Sequence, residues 1–353
     1  MISHSRPLIC PDDIKAVSKV LESGMLANGK KVRDFECAIA AYINRGYAAA
    51  VSSGTAALYV LLSALGISSD DEVVIPSYVC SSLLYAVRMT GASPILADSG
   101  NDPFHIDGTT VKKVLTPRVK AVIFPHMFGS AQNIGDIIAL GVPVIEDCAL
   151  SLGSQLNGVR SGNFGSCASF FSFYATKVIA TGEGGMVVSD DKTLIERIRD
   201  MIDYVNKPDT SMHFNFKMTN IMAALGLSQL KKLENMIQQR RCLASQYSRA
   251  FADKDLKLPT ENPGERHIFY RYVLQTKNAE GLRNLVRKRG VCAERPVYLP
   301  LSCFPGIVAD CPRAEETWRT SLSIPLYPAL SDSEVQKVIH AVLHSIQTLN
   351  KGD

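Results

Sequence analysis

The chain has 353 residues, 46% hydrophobic and 20% charged, with a net charge of +4 scattered along its length. That suffices for a large core and two domains, and it lacks the concentrated basic patch of a nucleic-acid binder. Nine cysteines without a C-x-x-C speak against a disulfide framework or thiolate zinc site, and no leader pattern or membrane-length apolar run is present, so a cytoplasmic, soluble protein is expected.

From about residue 48 to 190, β-like runs alternate with helical patterns. "AAAV" (48–51), "EVVIP" (72–76), "PILAD" (94–98), "AVIFP" (121–125), "PVIED" (143–147) and "GMVVSD" (185–190) read as buried strands. Between them "SGTAALYVLLSALG", "SSLLYAVRMTG" and "NIGDIIALG" are apolar at helical spacing and close on glycine. Such alternation predicts βαβ units and a mostly parallel sheet. Asn157-Gly158 signals a tight hairpin within 153–165. A helix-rich stretch spans roughly 218–250, and an α+β tail ends in the amphipathic "EVQKVIHAVLHSIQTL". The basic run "RNLVRKRG" (283–290) reads as the last turn of a helix, where cations are favoured. The change of domain is placed near residue 230, giving a large α/β domain over 1–230 and a small α+β domain over 231–353.

Open parallel sheets bind ligands beyond the carboxyl ends of their strands. After "AAAV" comes "SSGTAAL", where small residues open a helix. Free backbone N–H groups there suit a phosphate, although a cap by Ser53 or Thr55 explains the same pattern. "PVIED" ends in Glu146 and Asp147, carboxylates that need a cationic partner if buried. In "SFYATKVIATGEGGMVV" (172–188), Lys177 lies between a strand-like stretch and a glycine cluster. Partial desolvation in such a setting makes a lysine amine nucleophilic. The glycines enter a strand, so they are no dinucleotide loop, and neither a P-loop nor a G-x-S-x-G elbow occurs. The seven histidines have no metal-ligand spacing, and His126 is read as orienting the site or a loop. A phosphate seat, a buried carboxylate and a reactive lysine together suggest pyridoxal 5′-phosphate as the cofactor.

In order along the chain, "SRPLICPDDIKAVSKVLESGMLANGKKVRDFE", "VSSGTAALYVLLSALGISSDDEVVIPSYV", "TPRVKAVIFPHMFG", "VIEDCA", "GSCASFFSFYATKVIATGEGGMVVSDD" and "FNFKMTNIMAALGLSQL" resemble the DegT/DnrJ/EryC1/StrS family of sugar-nucleotide aminotransferases. The resemblance implies an aspartate-aminotransferase-like fold of pyridoxal-phosphate type I, with a mostly parallel sheet flanked by helices and a smaller C-terminal α+β domain. It implies that Lys177 links covalently to the cofactor and that Asp147 faces the pyridinium nitrogen. The phosphate cradle would comprise Gly54, Thr55, Ala56 and Ser172. Asn215 would reach the phosphate of a neighbouring subunit, making a homodimer obligatory. The implied partners are an amino-acid donor, L-glutamate by family habit, and a keto-sugar acceptor, with no nucleic acid, metal or membrane.

Three positions depart from the family pattern. Cys80 stands where an aromatic residue usually stacks on the cofactor ring; Tyr78 would share its face in an extended segment and is the candidate to replace it. Leu150 replaces a Gln or His that touches the 3-oxygen, and Lys217 replaces an arginine. A dehydratase branch of the family carries histidine in place of the lysine, which Lys177 argues against. A cyclic ketone without a nucleotide as acceptor, or a regulatory role without catalysis, are the alternative readings.

Overall fold

The computed structural model describes residues 1–350. The apolar runs form strands β1 Tyr47–Val51, β2 Glu72–Pro76, β3 Ser93–Ala97, β4 Val119–Pro125 and β5 Val144–Asp147. A hairpin follows, β6 Gln155–Leu156 and β7 Val159–Arg160, and then β8 Ala168–Ser172 and β9 Gly185–Ser189. The main sheet has seven strands in the order β1-β9-β8-β5-β4-β2-β3. Only β9 runs against the rest, antiparallel to both β1 and β8. Alternation of strand and helix reads each unit as parallel. The reversal at β9 arises because a loop, not a crossover helix, joins it to β8.

Helices cover both faces, so the central strands are buried: all five residues of β2 and all five of β9 are buried. The helix Gly54–Ala64 follows β1 directly and presents Ala57, Leu58, Val60 and Leu61 to the core. Asn157 (φ 51°) and Gly158 (φ 80°) both adopt left-handed backbone in the hairpin, as a two-residue turn requires.

Beyond the main sheet, β10 Glu265–Arg266 pairs with the β6 hairpin strand, and β11 Tyr272–Gln275 pairs with β12 Ser321–Ile324. The helices Ala279–Lys288 and Asp332–Leu349 share one apolar core with the two-stranded β11–β12 sheet. Ser331 and Glu334 close a capping box on the last helix. Helix Asn220–Leu230 gives way to Leu233–Phe251 near residue 230. Two features cross that line. Leu233, Met236 and Ile237 pack in the core of the main sheet, whereas Leu243, Tyr247 and Phe251 further along the same helix pack in the C-terminal core. The N-terminal residues also belong with the C-terminal core: Ile2 exchanges backbone hydrogen bonds with Gly290 and Cys292, and His4 Nε2 lies 2.9 Å from Ser323 Oγ.

Candidate active site

Strands β1, β2, β4, β5 and β8 share one direction, so the segments that follow them meet at one edge of the sheet. There they line a cavity of about 370 Å3, closed on its far side by Tyr270, Arg271 and residues 296–299. Gly54, Thr55, Asp147, Ser172 and Lys177 all reach it.

Lys177 is carried by a loop, 173–184, whose neck is tied by Phe173 N–H to Gly184 O and by Thr181 N–H to Phe173 O, both 2.8 Å. Val178, Ile179 and Ala180 are buried immediately after it, and the Lys177 N–H donates to Tyr174 O at 2.8 Å. The amine is therefore half-buried on a loop anchored by its own apolar neighbours. Its Nζ lies 5.4 Å from the centre of the Tyr270 ring.

Alternation along β5 sends Glu146 and Asp147 to opposite faces, and their environments differ accordingly. Glu146 is fully enclosed and accepts from His126 Nε2 (2.9 Å), Gly162 N–H (2.7 Å), Phe164 N–H (3.0 Å) and Ser166 Oγ (2.6 Å). Burial opposes its ionisation, but those donors hold its pKa below the usual range. His126 Nδ1 accepts from Gln132 N–H at 3.3 Å, which leaves Nε2–H to donate to Glu146. Cys148 lies close enough to complete a possible three-ligand cluster with them. With all four lone-pair positions of Glu146 taken by protein donors, however, the cluster reads as a satisfied polar knot under the sheet edge.

Asp147 faces the cavity. Its Oδ1 accepts from Ala149 N–H at 2.9 Å, and among the described residues no donor reaches Oδ2. Burial pushes its pKa up to about 6, against the pull of Lys177 and His126. A buried carboxylate with a vacant acceptor suits a cationic N–H partner.

The turn after β1 is compressed against two other strands. A Cβ on Gly185 would stand 2.2 Å from Ser53 O, and one on Gly54 would stand 2.8 Å from Ser172 Cβ. The start of helix Gly54–Ala64 is thereby seated directly against Ser172. Ser53 Oγ caps Ala56 N–H at 3.1 Å, and Ser53 O accepts from Ala57 N–H at 2.9 Å. This leaves Gly54 and Thr55 N–H, with the Ser172 hydroxyl, as donors at the cavity that could hold a phosphate. The expectation for Ala56 is corrected: its N–H is engaged by the cap and it does not line the cavity. These residues, Asp147 with its vacant oxygen and Lys177 fit pyridoxal 5′-phosphate.

Tyr78 also departs from expectation. It is buried outside the cavity wall, its ring 6.1 Å from Phe104 and 6.4 Å from Phe128. Cys80 and Leu150 line the cavity instead. Segment 214–217 runs beside the end of β1, with Ser52 N–H donating to Phe216 O at 2.7 Å, and its stacked Phe214 and Phe216 rings are 4.9 Å apart. Asn215 on this segment is exposed and lies outside the cavity. Lys217 pairs with Asp203 Oδ1 at 2.6 Å.

Sequence reasoning missed Tyr270 and Arg271. The available signal was an arginine inside the otherwise apolar run "HIFYRYVL" (267–274), a cation that needs a reason to be there.

A family model described as the DegT/DnrJ/EryC1/StrS aminotransferase family matches residues 7–343. Spore coat polysaccharide biosynthesis protein SpsC of Bacillus subtilis (strain 168) is 34% identical, covering 97% of this chain and 96% of its own length. GDP-perosamine synthase of Escherichia coli O157:H7 is 31% identical, covering 96% of both. The structure of the aminotransferase TlmJ from Streptoalloteichus hindustanus superposes with a TM-score of 0.95 at 28% identity, over 99% of this chain and 100% of that one. With the sheet order, the position of Lys177 beyond β8 and that of Asp147 at the end of β5, these likenesses lead to one conclusion: the chain belongs to the DegT/DnrJ/EryC1/StrS aminotransferase family.

Proposed function

We propose that this aminotransferase uses pyridoxal 5′-phosphate to move an amino group from an amino acid, L-glutamate, to a keto sugar carried on a nucleotide. The observation that carries the reading is the convergence of Lys177, Asp147, Ser172 and the Gly54–Thr55 backbone on one cavity. Relatives named for GDP-perosamine and for spore coat polysaccharide synthesis support a sugar acceptor.

The bound cofactor supplies an electron sink that lets the Cα proton of an amino acid leave. Asp147 Oδ2 would accept from its ring N–H and, as an anion, would favour the protonated nitrogen. Gly54 and Thr55 N–H groups and the Ser172 hydroxyl would hold the phosphate. Lys177 would hold the cofactor through Nζ, and the same amine, when free, would serve as the base and acid that moves the Cα proton. Leu150 and Phe170 give the cavity wall an apolar stretch that would limit water there. Asn215 would complete the site of a second subunit in a homodimer, a reading supported by its exposure and by the exposed Tyr204, Val205 and Met212 close to it in sequence.

The test is visible absorption of the purified protein, borohydride reduction and peptide mapping. A coloured protein that bleaches with glutamate and carries reduced cofactor on the Lys177 peptide is expected. A colourless protein that cannot be reconstituted would sink the reading. Inhibition by nucleoside diphosphates is expected for a nucleotide-linked acceptor; its absence would favour a free cyclic ketone.

A further inference from the structure

A second cavity, of about 430 Å3, lies behind a partition of Met127, Phe128 and Arg271, residues that line both spaces. It is bounded by the loop 101–105 that follows β3, by the turn after β4 and by the segment 257–262. Neither Lys177 nor Asp147 reaches it. Two imidazoles stand there with their tautomers set by the backbone. His267 is 5% exposed, and its Nδ1 accepts from Phe269 N–H at 2.8 Å. Nε2 therefore carries the hydrogen, and no acceptor among the described residues meets it. Burial holds the His267 pKa down to about 3, so the ring stays neutral. His105, 4% exposed, accepts from Met127 N–H through Nε2 at 3.0 Å, and its Nδ1 lies 3.2 Å from Asp102 Oδ1. A buried N–H left without an acceptor is costly, and His267 turns one toward open space.

The charges around this cavity do not cancel. Asp102 Oδ1 accepts from Phe104 N–H at 2.8 Å. Burial opposes its ionisation, but His105, that N–H and Lys257 hold its pKa down to about 2, so it is an anion. The Lys257 backbone exchanges two hydrogen bonds of 2.9 Å with Gln275, while its ammonium has no hydrogen-bond or ion-pair partner among the described residues. With Arg271 at the partition, two cations face one carboxylate, an excess of one positive charge. Phe104, Leu258, Pro259 and Val273 make the rest of the wall apolar.

We propose that this second cavity binds a small organic monoanion, a carboxylic acid with an apolar body, whose carboxylate takes the His267 Nε2–H and the Lys257 ammonium. The excess of one charge sets the class. A carboxylate balances it, whereas a phosphate dianion would leave a second negative charge facing Asp102. One neutral donor and one ammonium match the two oxygens of a carboxylate, and bonds to an ionised acceptor are the stronger kind. The volume is that of an ordinary small-molecule site, and the apolar wall accommodates a ring or a short chain. The site is independent of the aminotransferase reading, since none of its ligand-holding groups lines the space around Lys177.

The test is a ligand-observed NMR titration of the protein as purified with benzoate, its neutral counterpart benzamide, and phenyl phosphate. Benzoate should bind with a Kd of about 1 mM or tighter, as suits so small a ligand, and the other two at least about tenfold more weakly. His267→Asn keeps an oxygen for the Phe269 N–H and removes Nε2, and Lys257→Ala removes an exposed ammonium. Each should weaken benzoate about 5- to 20-fold. Neither residue lines the cavity of Lys177, so such a loss places benzoate in the second cavity. Asp102→Asn should narrow the gap between phenyl phosphate and benzoate. Melting temperature reports the fold of each variant, and Lys257→Ala decides alone if His267→Asn does not fold. A wild type that binds no benzoate overturns the proposal, as does equal binding by wild type and Lys257→Ala. Benzamide or phenyl phosphate binding as tightly as benzoate would overturn the assignment to a carboxylate.

Discussion

Replacing Asp147 by Asn should stabilise the cofactor-free protein and cripple the loaded one. In the cofactor-free fold, burial lifts the Asp147 pKa from 3.8 to about 6. The folded state therefore holds the proton more tightly than the unfolded chain does. The stability this lends is complete below about pH 4 and is lost as pH rises through about 6. At pH 7.5 the ionised carboxylate costs up to about 3 kcal/mol, the equivalent of that difference. Asn removes the ionisation and keeps an oxygen for the Ala149 N–H, so a gain of about 1–3 kcal/mol is expected, a rise of a few degrees in melting temperature. The gain should fade toward pH 4, where wild-type Asp147 is already neutral. With cofactor bound the sign reverses. A carboxylate and a ring cation about 4 Å apart attract by about 4 kcal/mol at an effective dielectric of 20, so the half-reaction should slow about a thousandfold. Denaturation of both cofactor-free proteins from pH 4 to 8 and single-turnover absorbance with glutamate would measure the two effects. An Asn variant that is less stable at pH 7.5, or whose advantage does not shrink toward pH 4, would refute the reasoning about burial. A rate within tenfold of wild type would refute the role at the ring.

Three further outcomes are expected. His126→Ala leaves Glu146 buried without one of its four donors and should cost about 1–3 kcal/mol in urea unfolding; a loss under about 0.5 kcal/mol would mean the remaining donors suffice. Gly54→Ala forces Ser172 away by its Cβ at 2.8 Å, an overpacking of about 1–3 kcal/mol, and should weaken cofactor affinity by about 5- to 150-fold in a fluorescence titration while the circular dichroism stays native; unchanged affinity would remove Ser172 and Gly54 from the cradle. Mixing inactive Lys177→Ala and Asn215→Ala proteins should restore activity to about a quarter of wild type if subunits exchange, because half of the dimers then carry one intact site; no recovery after demonstrated exchange would place Asn215 outside the partner's site.

Much of the fold was legible because its strands are short, apolar and closely bounded. The six runs read from the sequence all fall within two residues of strands in the main sheet. What periodicity could not show was direction. β8 and β9 are both apolar, and nothing in "ASFFS" or "GMVVS" distinguishes a parallel neighbour from an antiparallel one; only the shape of the loop carrying Lys177 does. Nor could it show that Ile2, at the start of the chain, packs in the C-terminal core. That contact joins residues nearly 300 positions apart and leaves no local pattern.

The site was legible where a residue's role follows from its place on a strand end, and illegible where it depends on which way a side chain leaves an irregular segment. Glu146 and Asp147 looked equivalent as letters. The period of two along β5 separates them, one into a knot with four donors and the other into the cavity with a free oxygen. The same period would set Tyr78 beside Cys80 on one face, but the chain leaves strand geometry after Pro76, and a rule for extended backbone no longer applies. Tyr78 turns into an aromatic cluster and Cys80 is left at the wall, so no aromatic side chain from this segment faces the cavity. The aromatic that does stand over Lys177 is Tyr270, contributed by a segment almost a hundred residues further on. It arrives there because Ile268 N–H donates to Gly129 O at 2.9 Å and Arg271 N–H to Phe128 O at 3.3 Å, bonds that pin the segment leading into β11 against the turn after β4. The same two bonds deliver Arg271, so the ring over the amine and the cation at the cavity wall come as one unit from the C-terminal part of the chain.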